Sequence, residues 1–333
     1  MKKIAIVGAL ENAGREILDL LAEKGYPLST VFAVENKTPM GTMVSYGEDD
    51  DIDVYNLDDF DFSKVDGAIF VTSEEITKKY LSRAKSKNIK IVDCSGASFD
   101  DTDVPMIVFG INESAVEKTK KDIISIPSFF VTQMLLPLQE VIKKLKIKRI
   151  VASTYTSASV YGKEAMDELF TQTRKIFMNE PLIDDEQIFH KQIAFNVLPQ
   201  IGDFMGDETH QEWQINAELK KVLGSDVKVH VNCAVVPAFI GSAEYVNIEC
   251  ENEVDADEVA AMMKRAENVV VFDKNVDGGY VTITDVQGED SVYVSRIRQD
   301  VSVENGFSFW CVSDNIRNGV AINALKVMEQ MLK

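Results

Sequence analysis

Residues 3–26, "KIAIVGALENAGREILDLLAEKGY", decide the fold class. "KIAIV" is a short, wholly apolar run ending in glycine, which predicts a buried strand. "GALENAG" is a turn of small and polar residues. "REILDLLAEKGY" places Ile17, Leu18, Leu20 and Leu21 on one face of a helix. This is a strand, turn and helix unit. A turn that holds a dinucleotide needs small residues, so that backbone amides at a helix N-terminus can approach a pyrophosphate. Gly8 and Gly14 have that character, in the spacing G-x-x-x-x-x-G.

The pattern recurs along the next hundred residues. "STVFAVE" and "VDGAIFVTS" read as strands, "EEITKKYLSRAKSK" as a helix and "IKIVDCSG" as a strand, with short strands expected at "MIVFG" and "DIISI". Alternating strands and helices predict an α/β domain with a doubly wound parallel sheet, Rossmann-like. The acidic "YGEDDDIDVYNLDDFD" is expected to be a solvated excursion between strands.

After residue 127 the texture changes. A helix is expected from about 130 to 145, then the strand "KRIVASTYT", a helical region to about 177 and an irregular stretch that includes "NEPLIDDE". Thr209-x-x-Glu212 is a capping box that starts another helix. Strands at "DVKVHVNCAVVP", "AEYVNIECE", "NVVVFD", "SVYVSRIRQD" and "FSFWCVSD", with a helix after Asp255, predict one mixed sheet with helices on one face. The expected division is 1–127 as a dinucleotide-binding domain and 128–314 as an α+β domain. Residues 315–333 form a last helix packing back on the first domain.

Composition bounds the function classes. The 333 residues carry a formal charge of −19, with 54 acidic against 35 basic side chains, so a nucleic-acid backbone is repelled. The N-terminus has the outline of a secretory signal, but its apolar run is one strand long and lacks a small-residue cleavage site. No stretch approaches the roughly 20 apolar residues of a membrane span. No membrane association is therefore expected, and the expected location is cytoplasmic. Cys94, Cys233, Cys250 and Cys311 are scattered without a C-x-x-C pair and read as reduced, packed thiols. His190, His210 and His230 lie far apart and offer little for a metal site, so none is expected.

Several segments together resemble the aspartate-β-semialdehyde dehydrogenases over nearly the whole chain. They are "GALENAG" (8–14), "VDCSGASFDDTDVP" (92–105), "IAFNVLPQIG" (193–202), "CAVVPAFIGSAEYVNIE" (233–249), "VSRIRQD" (294–300) and "SDNIRNGVAINA" (313–324). The resemblance implies a Rossmann domain, a dimerising α+β domain, and homodimers or homotetramers. It also implies NADPH-dependent reduction of aspartyl phosphate in amino-acid biosynthesis.

The residues the family uses for chemistry are replaced. Its nucleophilic cysteine, in N-P-N-C-[ST]-T before Q-M, falls on Phe129 of "IPSFFVTQM", and its S-T-Y-Q glutamine falls on Thr156. The substrate-carboxylate arginine and the acid–base histidine of C-V-R-V-P-V-F-x-G-H-S-E fall on Val235 and Ser242. Phe99 takes the place of a phosphate-binding arginine, and Gln211 and Gln214 stand for an E-x-x-K pair. In the glycine turn Glu11 occupies a glycine position and Asn12 follows it. The arginine for the adenosine 2′-phosphate falls near Asn36.

A phenyl ring forms no thioacyl intermediate, and a serine hydroxyl has no pKa near neutrality with which to move protons. Cys94 and Cys233 are the alternative nucleophiles, each displaced from the turn at Phe129. Scaffold motifs persist: the Pro127 turn, Arg296, Arg298 and Asn315. Gly8, Gly14 and Asn315 would be a vestigial cofactor site, disturbed by Glu11.

The expectation is a pseudoenzyme similar in kind to the USG-1-like proteins, with its cleft filled by phenylalanine. No cofactor is expected, or NADP if the dinucleotide site survives. It would act as a homodimer or as a heteromer with an active dehydrogenase. An oxidoreductase of altered substrate and a small-molecule sensor using an apolar cleft are the alternatives.

Overall fold

The computed structural model describes residues 1–119, 121–182 and 187–333. The chain divides into one unit of residues 1–132 and 316–333 and a second of residues 133–315. Part of "NEPLIDDE" lies outside the described residues.

The first unit is built on strands β1 (Ile4–Val7), β2 (Val31–Glu35), β3 (Met43–Tyr46), β4 (Asp50–Asn56), β5 (Gly67–Phe70), β6 (Lys90–Asp93) and β7 (Ile123–Ser125). They form a seven-stranded sheet in the order β3-β4-β2-β1-β5-β6-β7, parallel except for β3. β1 is buried at every position because both faces of the sheet are covered. On one face lie Ile17, Leu18 and Leu21 of α1 (Asn12–Glu23) with Leu325 and Met328 of the chain's last helix. On the other lie Tyr80, Leu81 and Ala84 of α2 (Glu74–Lys85) with Phe60, Phe62 and Phe70. Helix α2 starts at a Ser73 cap that accepts from the Ile76 amide, with acids in its first turn and bases in its last. A short α3 (Ser114–Lys118) follows β6.

Three local expectations need correction. The acidic "YGEDDDIDVYNLDDFD" contains β4, paired to β2 on one side and β3 on the other, because Ile52 and Val54 point inward while Asp51 and Asp53 face solvent. "MIVFG" makes only a single bridge, Met106 to Ser125. The Asn112 side chain takes the Val108 amide and the Met106 carbonyl, and Asn323 takes the Phe109 amide, so a ladder has no groups left to use. The helix expected at 130–145 breaks in two around Pro137. Helix α4 (Phe129–Leu135) passes through a 3-10 turn, Leu136–Leu138, into the short α5 (Gln139–Ile142).

In the second unit, β8 (Ile147–Thr156) is followed by a 3-10 turn, Ala158–Tyr161, and α6 (Lys163–Phe177). A two-residue hairpin, β9 (Phe204–Met205) and β10 (Glu208–Thr209), leads to α7 (His210–Leu223), which begins in the Thr209/Glu212 capping box. Then come β11 (Lys228–Val235), β12 (Ser242–Cys250), α8 (Ala256–Met263), β13 (Val269–Val271), β14 (Val292–Asp300) and β15 (Gly306–Ser313). The mixed sheet runs β11-β8-β12-β15-β14-β13. A bulge between Ser295 and Arg298 leaves two amides out of the ladder; both donate to the Asp273 carboxylate.

One face of this sheet is buried. The other leaves Val151, Ser153, Tyr155, Tyr245, Asn247 and Trp310 half-exposed. The final segment winds as a π-helix over Arg317–Ile322 before α9 (Asn323–Met331), where one continuous helix was expected.

Candidate functional site

In the first unit the chain leaves β1 for β2 on one side and later crosses to β5 on the other. The carboxyl end of β1 is therefore the switch point of the sheet, where open α/β folds bind ligands. The "GALENAG" turn sits there. Gly8 has φ +97°, and a Cβ on it would lie 2.9 Å from the Thr72 amide nitrogen. A Cβ on Gly14 would lie 2.0 Å from the Gly8 carbonyl oxygen. Both glycines are required by close backbone approach, which seats the N-terminus of α1 against the turn. The amides of Asn12, Ala13 and Gly14 have no partner within the first turn of the helix and can face a pyrophosphate.

Glu11 is the N-cap, extended at φ −69° and exposed, and its carboxylate makes no cap bond. Arg15, one turn on, is exposed and donates from Nε to the Leu10 carbonyl at 3.0 Å. At the end of β2, Glu35 Oε2 accepts from the Leu10 amide at 3.0 Å and Oε1 from the Asn36 amide at 2.7 Å. Glu35 escaped the sequence reasoning; an acid at a strand end about 20 residues beyond a glycine turn is its signal. Asn36 is half-buried next to it. Phe99 is half-buried in the loop after β6, which Asp93 shapes by accepting from the Ser95 and Ser98 amides.

Phe129 opens α4, its ring stacked on Phe130 with centroids 3.9 Å apart. Gly319 of the π-helix abuts it so closely that a Cβ there would lie 2.3 Å from the Phe129 Cβ. The position is packed by carbon on both sides.

In the second unit, strand register sets Val235, Thr156, Ser242 and Ser313 side by side across β11, β8, β12 and β15. The next row on that buried face is Cys233, Thr154, Glu244 and Cys311. Val235, Thr156, Ser242 and Glu244 are all fully buried. Gln133 bridges the rows' edge: its Oε1 accepts from Ser313 Oγ at 2.5 Å, and its Nε2 faces the Cys311 carbonyl at 3.5 Å.

Burial holds the Glu244 carboxyl well above the usual carboxylate range; the Cys311 thiol donates to Oε2 while Oε1 has no protein partner. The acid in the alternating "SAEYVNIE" is its sequence signal. Gln214 donates to Glu218 at 2.8 Å, and the Gln211 amide nitrogen is buried without a partner. Asn315 is occupied within this unit, accepting from the Gly241 amide at 2.9 Å and meeting Ser159 at 3.3 Å.

All four thiols are free. Burial pushes Cys233 up to about 12 and Cys250 up to about 11, and raises Cys94 and Cys311 well above the ordinary value. None supplies a thiolate at neutral pH. Among the described residues no group of three His, Cys, Asp or Glu could hold a metal ion, and no helix is long and apolar enough to cross a membrane.

A glycine turn at the switch point of a parallel sheet, followed by a mixed-sheet unit with one open face, defines a two-unit protein of the dinucleotide-binding α/β class. Residues 3–119 match the semialdehyde dehydrogenase NAD-binding domain and residues 135–318 the semialdehyde dehydrogenase dimerisation domain. The chain is 40% identical to aspartate-semialdehyde dehydrogenase of Rickettsia bellii, over 99% of this chain and 97% of the relative. The crystal structure of aspartate semialdehyde dehydrogenase II from Vibrio cholerae superposes with a TM-score of 0.93 at 31% identity, covering 99% of this chain and 98% of that one. The same enzyme complexed with ASA superposes at 0.92 and 31% identity, covering 99% of this chain and 97% of that one. The chain belongs to the aspartate-semialdehyde dehydrogenase family.

Proposed function

We propose that this chain is a family member that has given up covalent catalysis and works as a binding protein, holding a nicotinamide dinucleotide in its first unit and a second copy of itself through its second. The observation that carries this is Phe129 at the nucleophile's place in the motif. Its half-buried side chain is a phenyl ring stacked on Phe130, with no sulfur to attack a carbonyl carbon.

The rest of the constellation supports the reading. Thr156, Val235 and Ser242 are buried side chains without a charge, so they neither grip a carboxylate nor move a proton near neutrality. The four cysteines are held as thiols. Loss of a nucleophile alone commonly costs on the order of 10³-fold or more, and these groups act as a unit.

The glycine turn supports retention of the dinucleotide, because the two close approaches that require Gly8 and Gly14 remain. Homodimer formation is supported by the open sheet face of the second unit. A heteromer with an active dehydrogenase would use the same face.

The test is an assay of the purified protein with aspartate semialdehyde, phosphate and NADP⁺ or NAD⁺. No reduced nucleotide should form above background, and Phe129→Cys alone should stay inactive, because Thr156, Val235 and Ser242 still lack the other functions. Turnover by the unmodified chain at about 1 s⁻¹ or more, an ordinary enzymatic rate, sinks the reading.

A further inference from the structure

The carboxyl end of β2 is where a Rossmann unit meets the adenosine ribose. An acid there accepts the ribose hydroxyls of NAD, whereas a nearby arginine accommodates the 2′-phosphate of NADP. This chain has Glu35 at that strand end, followed by the neutral Asn36. The carboxylate is half-buried and fixed by two backbone amides, Leu10 of the glycine turn at 3.0 Å and its own neighbour Asn36 at 2.7 Å. Each oxygen has two acceptor sites and each amide uses one, so one site per oxygen is left for a hydroxyl donor.

The nearest cation in sequence, Lys37, is exposed in a left-handed conformation at φ +55°. It lies near enough to Asp58 to help lower that acid, so its charge is shared with another carboxylate. A 2′-phosphate here would meet a fixed carboxylate in partly dehydrated surroundings, where like charges repel most strongly. The turn therefore fits a dinucleotide, and the strand end does not fit the extra phosphate of NADP.

We propose that Glu35 is a specificity-determining residue, and that it makes the first unit select NAD over NADP by taking the ribose diol and repelling a 2′-phosphate. This rests on the reading that the unit binds a nicotinamide dinucleotide. It runs against the NADPH implied by the family resemblance.

The experiment is calorimetric titration of the intact protein with NAD⁺ and with NADP⁺, each to millimolar concentration. It is repeated with Glu35→Gln, which keeps an acceptor for the Leu10 amide but removes the charge, and with the double change Glu35→Gln/Asn36→Arg. The unmodified protein should bind NAD⁺ at least about 10-fold more tightly than NADP⁺, the worth of one charged hydrogen bond. Glu35→Gln should shrink that ratio by about 10-fold, and the added arginine should reverse it. Tighter binding of NADP⁺ by the unmodified protein, or a ratio unmoved in a folded Glu35→Gln variant, overturns the assignment while dinucleotide binding stands. Binding of neither nucleotide overturns both.

Discussion

At the scale of single residues, the molecule treats its carboxylates in opposite ways. Glu35 stays at a strand end where amides and solvent reach it, while Glu244 lies in the core beside Cys311, with one oxygen unpartnered. A buried acid without a cation is stable only as the neutral form. Its folded-state pKa therefore lies above its unfolded value. Between the two values the native state holds a proton that the unfolded chain releases, so stability is full below the unfolded value near 4.3 and is lost as pH rises through the folded one. Glu244→Gln mimics the protonated form at every pH. The variant should match the unmodified protein at about pH 3.5, below the unfolded value, and exceed it at pH 8 by about 2 °C or more in melting temperature. Equal melting temperatures at both pH values would mean that Glu244 is ionised and has found a partner.

At the scale of elements, legibility followed how local the deciding interactions are. The β1-turn-α1 unit and the Thr209/Glu212 box are written in neighbouring residues and stand in the structure, with α1 starting at Asn12, three residues before the expected Arg15. "MIVFG" has the composition of a strand, yet the deciding partners are side chains elsewhere: Asn323 is 214 residues from the Phe109 amide it takes. β4 was hidden by its acids, which obscured the alternation of Ile52 and Val54. Of the candidate site, the motifs that contain Phe129, Thr156, Val235 and Ser242 stand in the sequence, whereas the adjacency of Thr156, Val235 and Ser242 comes from strand register. Glu244 and Gln133 were not legible, because only the register of β12 against β8 and β15 shows what lies beside them.

The capping box allows a direct test of local encoding. Thr209 Oγ accepts from the Glu212 amide, while the Glu212 carboxylate takes the Thr209 and Cys233 amides at 2.8 and 3.1 Å. Thr209→Ala should cost about 1 kcal/mol in urea unfolding, and Glu212→Ala more, since it also frees an amide of β11. A smaller loss for Glu212→Ala than for Thr209→Ala would show that its carboxylate does not tie α7 to the sheet.

At the scale of the whole molecule, a charge of −19 on each copy opposes self-association, and the apolar groups on the open face of the second unit favour it. That face presents the half-exposed Tyr155, Tyr245 and Trp310, with Arg298 lying over the Tyr245 ring at 5.5 Å. Aromatic groups with an arginine are the composition that anchors protein interfaces. Long-range repulsion between two acidic copies is screened within about 8 Å at physiological ionic strength, whereas burial of apolar surface is not weakened by salt. Light scattering should therefore give twice the 37.2 kDa chain mass at 150 mM salt, with dissociation growing as salt is lowered. Tyr245→Glu, which adds charge and removes an aromatic anchor, should give monomer at micromolar concentration while unfolding at a similar temperature per chain. A Tyr245→Glu protein that stays dimeric would move the interface off this face, and the proposed pairing of copies through the open sheet would fall with it.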